Sequence, residues 1–137
     1  MAGTKNGPNV FIQIKCKQLL KIQIMKTASF TTDLVYNEAK PSISIMLETE
    51  TSKEIRIVFK EGQIMKEHQT PFPIVVQVFK GAIDFGVQGV KQHLRAGDLI
   101  ALDGGVPHDL TALDESIVRL SLSKKDSLQR VRNIKTA

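Results

Sequence analysis

Two histidines in this chain are spaced so that they could meet and do chemistry. His68 follows Gly62 by six positions and is itself followed by Gln-Thr70-Pro-Phe-Pro-Ile74-Val-Val-Gln77-Val-Phe-Lys-Gly81. His108 ends the run Asp103-Gly-Gly105-Val-Pro-His108, downstream of Gly97. Imidazole is the side chain that ligates first-row metals, moves protons near neutral pH and hydrogen-bonds in either direction. A single histidine in a strand is more often a hydrogen-bonded structural residue; only a shared cavity would make a site of the two. The third, His93, lies in the polar arm Gly89-Val-Lys-Gln-His93-Leu-Arg and is expected to be solvated. Cys16 has no base nearby in sequence to activate it and, as the only cysteine, no partner for an internal disulfide. There is no Gly-x-Ser-x-Gly elbow, no Walker A loop, no dinucleotide fingerprint and no Cys-x-x-Cys pair.

The elements that must carry these residues are short strands. Ser42 to Leu47 alternates Ile43, Ile45 and Leu47, and Glu54 to Lys60 alternates Ile55, Ile57 and Phe59 against Arg56, Val58 and Lys60. Further strands are expected over Gln63–His68, Ile74–Phe79, Ala82–Val87, Leu99–Leu102, Pro107–Ala112 and Ser116–Ser123, with a hairpin at Gly86-Val-Gln88-Gly89. Many short strands at this spacing predict an all-β sandwich or barrel, and a jelly roll is one way to manage the edges. Residues 25–137 form the expected single domain. Residues 1–24 are set apart as an extension, either flexible or an added edge strand crossing to a second subunit. Ile12, Ile14 and Cys16, then Leu20, Ile22 and Ile24, alternate within it, and Met25-Lys-Thr-Ala-Ser-Phe resembles an ordinary translation start. At the other end Leu128, Val131 and Ile134 predict a short C-terminal helix within Lys124 to Lys135.

Taken together, the two glycine-framed segments resemble the paired motifs of the cupin superfamily, G-x5-H-x-H-x3,4-E-x6-G and G-x5-P-x-G-x2-H-x3-N. Gly62, His68 and Gly81 fit the first, and Gly97, Gly105 and His108 the second. The likeness covers roughly residues 43–122 and is nearest to small single-domain cupins of the conserved-barrel type. It implies a double-stranded β-helix, or jelly-roll barrel. In cupins with the full motif, three His and one Glu bind a divalent metal inside the barrel. Here Thr70 and Ile74 stand at the second His and the Glu, and Asp103 and Ala112 replace the Pro and Asn of the second motif. A hydroxyl is a poor ligand and an aliphatic side chain is none.

The resemblance therefore implies a partial metal site at His68 and His108. Gln77, polar within an apolar strand, would be a weak third ligand if it faces inward. Thr70, Ile74, Leu110 and Ala112 are the expected pocket wall. Such a neutral set could hold one divalent Ni, Zn, Fe, Mn or Cu ion, or none. The expected function is a small-molecule-binding cupin barrel, with a metal-dependent oxygenase or isomerase as its catalytic form. The alternatives are a non-catalytic ligand-binding or sensor barrel without metal, and an interaction module. A homodimer is expected, because edge strands and an N-terminal arm invite pairing.

Composition narrows the partners. At 137 residues with 42% hydrophobic content, the chain suits one domain with a core. No apolar run is long enough to span a membrane, and Lys15, Lys17 and Lys21 interrupt the stretch that a secretory signal would need. A cytoplasmic location is expected. The net charge of +5 gathers at the two ends, but aromatics are only 5%, so the basic residues are read as solvated tails and no nucleic-acid partner is expected.

Overall fold

The computed structural model describes residues 24–124. Expectations for residues 1–23, including Cys16, and for a C-terminal helix beyond residue 124 fall outside the described residues. Nine strands follow one another: β1 (Ser42–Glu48), β2 (Ser52–Phe59), β3 (Ile64–His68), β4 (Ile74–Lys80), β5 (Ala82–Val87), β6 (Val90–Arg95), β7 (Leu99–Leu102), β8 (His108–Ala112) and β9 (Ser116–Ser123). They make two antiparallel sheets, ordered β1-β2-β9-β4-β7 and β3-β8-β5-β6. Sequence neighbours are thus dealt between two layers, as in a jelly roll.

Period-two alternation fixes which side of each strand meets the other sheet. Ile55, Ile57 and Phe59 of β2, Ile74, Val76 and Val78 of β4, Ile83 and Phe85 of β5, Leu110 and Ala112 of β8 and Val118 of β9 form one buried cluster between the layers. The turns behind this stacking make specific backbone demands. Gly81, between β4 and β5, has φ +85°, and a Cβ there would fall 2.3 Å from both the Glu115 carbonyl oxygen and Ser116 Oγ. No other residue fits a left-handed position under that contact.

Residues 25–41 contain no strand and run as a strap outside the first sheet. Arg56, on the outer face of β2, donates from its guanidinium to the carbonyls of Ser29, Thr32 and Asp33 at 2.8 to 3.3 Å. Phe30 packs against Phe79 with ring centroids 6.1 Å apart. Lys60 pairs with Glu38, and Gln63 Nε2 donates to the Asn37 carbonyl at 2.7 Å. Burial, then a hydrogen bond to Glu115, push the Tyr36 hydroxyl above its ordinary pKa. With the strap in place, Arg56 is buried, as are Val58 and Ile117 on the same outer face. No helix among the described residues is long and apolar enough to cross a membrane.

Candidate functional site

The loops around the two histidines are held to each other before the side chains are considered. The Gly105 amide donates to the Thr70 carbonyl at 2.7 Å, which ties the β7–β8 loop to the β3–β4 loop. At Gly104 the two loops come so close that a Cβ would lie 2.3 Å from the Pro71 carbonyl oxygen. Gly105 itself has φ +77°, the left-handed turn that glycine adopts at low cost. This clamp sits two residues beyond His68 and three before His108. The strands then complete the alignment: β3 and β8 are hydrogen-bonded neighbours in which His68 is the cross-strand partner of His108.

The rings meet with centroids 4.4 Å apart and planes tilted by 59°. His108 is buried, at 3% exposure, and stacks on Phe85 at 5.4 Å between centroids. His68 is half-buried at the rim. Each ring is oriented by the backbone two residues before it: His68 Nδ1 lies 2.8 Å from the Lys66 carbonyl and His108 Nδ1 lies 2.9 Å from the Val106 carbonyl. A carbonyl can only accept, so Nδ1 carries the proton in both rings. In the neutral form each imidazole therefore has its lone pair on Nε2. Backbone bonding of the second nitrogen is the device that fixes the tautomer of metal-binding histidines.

Both rings line one interior cavity of about 20 Å³, together with Ile57, Met65, Ile74, Val76, Leu110, Val118 and Leu120. A space of that size holds a single water-sized occupant. Its walls are apolar apart from the two imidazoles, and no carboxylate lines it. Among the described residues, no group of three or more His, Cys, Asp or Glu side chains could share a metal ion. A divalent cation of the kind the motif resemblance implies would thus find two preset imidazoles and no anionic ligand. The donor chemistry fits in part. Larger surface hollows of about 400 and 540 Å³ lie where Ile24–Thr27 meets the end of β1, but Lys26 is the one cationic group in their lining and neither has a histidine.

The remaining sequence-based assignments divide. Ile74 and Leu110 line the cavity. Gln77 does not reach it: Ile74, Val76 and Val78 are the buried face of β4, which leaves Gln77 on the opposite face with the exposed Val75 and Phe79. Thr70 stands beyond the end of β3, where its hydroxyl donates to the Phe72 carbonyl at 3.0 Å. Ala112 is buried in the core, four residues beyond His108, where its amide donates to the Gln63 carbonyl rather than lining the cavity. Asp109 faces away from His108, and its carboxylate lies over Gly86, where a Cβ would come within 2.4 Å of Oδ1. His93 is half-exposed on the outer side and pairs with Asp84 at 3.1 Å.

Sequence reasoning missed Met65. Counting back by twos from His68 places Lys66 and Ile64 inward and Met65 outward. The pairing of β3 with β8 is irregular between Met65 and His68, and that irregularity turns Met65 into the cavity and Ile64 out to solvent. The only sequence hint was the character of the residues, since an inward Lys66 would have put an uncompensated charge beside the histidines.

No protein-family model matches the sequence, and no curated protein matches it. Solved structures do. An RmlC-like cupin protein from Desulfovibrio desulfuricans superposes with a TM-score of 0.68 at 19% identity, covering 72% of this chain and 96% of that one. A conserved protein with a double-stranded β-helix domain from Klebsiella pneumoniae gives 0.65 at 22% identity, covering 72% and 89%. KdgF from a Halomonas species gives 0.60 at 21% identity, covering 74% and 99%. At these identities the likeness is one of fold, and the fold is that of a small cupin barrel.

Proposed function

We propose that this protein is a small-ligand-binding barrel whose working centre is the His68–His108 pair, acting as a partial site for a divalent metal ion. The observation that carries this is the paired tautomer: two neighbouring imidazoles, each held by a backbone carbonyl at Nδ1, in one apolar cavity. Purely structural histidines need no such matched arrangement. Ni, Zn, Fe, Mn and Cu all accept imidazole, and a metal bound by two rings would supply Lewis acidity with coordination positions left open. Among the cavity's lining, only these same two rings could move a proton, so an oxygenase or isomerase working here would have no carboxylate base to draw on.

A metal-free sensor barrel is the second reading, favoured by the missing carboxylate. Elemental analysis of untagged protein, beside the His68→Ala/His108→Ala variant, separates the two. Near-stoichiometric metal that the variant loses is the expected result. Protein that stays metal-free after incubation with each of the five ions would sink the metal reading. The homodimer remains part of the proposal. β1 is a sheet edge whose Ile43 and Ile45, opposite the core residues Ile57 and Ile55, are 58% and 60% exposed. Light scattering that returns a monomer mass would remove it.

A further inference from the structure

We infer that the cavity is built for monovalent copper, with the Met65 thioether as the third ligand beside His68 and His108. The inference rests on the two-imidazole reading above and goes beyond it in naming a ligand and an oxidation state. Met65 comes from the irregular stretch of β3 and lines, with both histidines, the same space of about 20 Å³, where it is the sole sulfur.

The donor set selects the ion. One thioether and two imidazoles make a soft, neutral trio, and thioether ligands favour Cu(I) over harder divalent ions. Electrostatics points the same way. No acidic side chain lines the cavity, so the charge of the ion is not compensated there. The cost of burying an ion rises with the square of its charge, so a dication in this apolar shell is penalised about four times as heavily as a monocation. Binding through Nε2 would leave each ring's Nδ1 bond to its backbone carbonyl intact.

The test is an anaerobic titration with ascorbate-reduced copper, in which the whole chain competes with bicinchoninate for Cu(I). Zn(II) and Ni(II) titrations run in parallel. Met65→Leu keeps the volume and removes the sulfur, an exchange that cores tolerate. The expected result is one Cu(I) per chain, weakened at least about tenfold in Met65→Leu, given that even residues behind the ligands act on a tenfold to hundredfold scale. Zn(II) and Ni(II) affinities should not change in that variant. Copper X-ray absorption on the wild type gives an answer independent of any variant's folding, since a sulfur scatterer must be present. Equal Cu(I) affinity in wild type and Met65→Leu, or a copper shell without sulfur, overturns the assignment and leaves the two-imidazole site standing. Zn(II) or Ni(II) bound in preference to Cu(I) overturns it as well. No metal of any kind bound overturns both this inference and the reading beneath it.

Discussion

Replacing His108 with leucine separates a residue kept for the fold from one kept for a ligand. His108→Leu removes one hydrogen bond, from Nδ1 to the Val106 carbonyl, worth about 1 kcal/mol net. The stacked contact with Phe85 accounts for about 0.5–1.5 kcal/mol more. Against these losses, a fully buried leucine gains about 1.5–3 kcal/mol from apolar burial, and the walls here are Ile57, Leu110, Val118 and Leu120. The Val106 carbonyl belongs to a half-exposed loop residue, so water can take over its bond. The terms nearly cancel, and the variant should lie within about 1 kcal/mol of wild type. Metal affinity should nevertheless fall at least about tenfold. Urea unfolding followed by circular dichroism gives the first quantity, and metal titration the second. A loss above about 3 kcal/mol would refute the reasoning, because that is the cost expected of a histidine that organises its surroundings. Retained metal affinity would refute it from the other side.

Two further outcomes follow from the backbone and the surface. Gly81→Ala should cost about 2–4 kcal/mol, combining left-handed strain with the contact against Glu115 and Ser116, whereas Gly89→Ala, at φ +79° with open space around it, should cost only about 1 kcal/mol; equal melting shifts would show that the contact is absent. Burial alone would raise the Glu54 carboxyl, but hydrogen bonds from Ser121, Arg119 and Ser52 and the Arg119 charge outweigh it and hold the pKa below 4.5. A lowered folded-state value contributes stability that is present above the unfolded pKa and lost as pH falls through the folded one. Glu54→Gln should therefore be about 0.5–1 kcal/mol less stable than wild type at neutral pH, a solvent-screened figure, with the gap closing below pH 4.5; a gap independent of pH would contradict this.

Much of the barrel was legible because its strands are short and well punctuated. Ala82–Val87, Leu99–Leu102 and Ser116–Ser123 appear with the expected bounds, the five other expected strands shift by a residue or two, and β6 reads in the sequence only as a polar hairpin arm. The glycine spacing also brought His68 and His108 to one place, since turns set register and register sets facing. Failures came where a neighbour overrode the local pattern. Arg56 alternates with buried isoleucines and reads as solvent-facing, yet the strap covers it and its charge goes into three backbone carbonyls. Gln77 was drawn inward by its polarity, although its strand neighbours already assign the inner face to Ile74, Val76 and Val78. Met65 needed the irregular pairing of β3, which single-strand alternation cannot contain.

The two histidines are placed on strands of unequal security. β8 is interior to its sheet, between β3 and β5, whereas β3 is, among the described residues, an edge with β8 as its sole partner in the sheet. Edge strands open locally at a fraction of the free energy of global unfolding. Any occupant gripped by both rings would have to be released before β3 could peel away, so its binding energy adds directly to the cost of that opening. Occupancy of the cavity would thus be written into the exchange rates of the β3 backbone amides, slowing them relative to those of β6, the other edge of the same sheet.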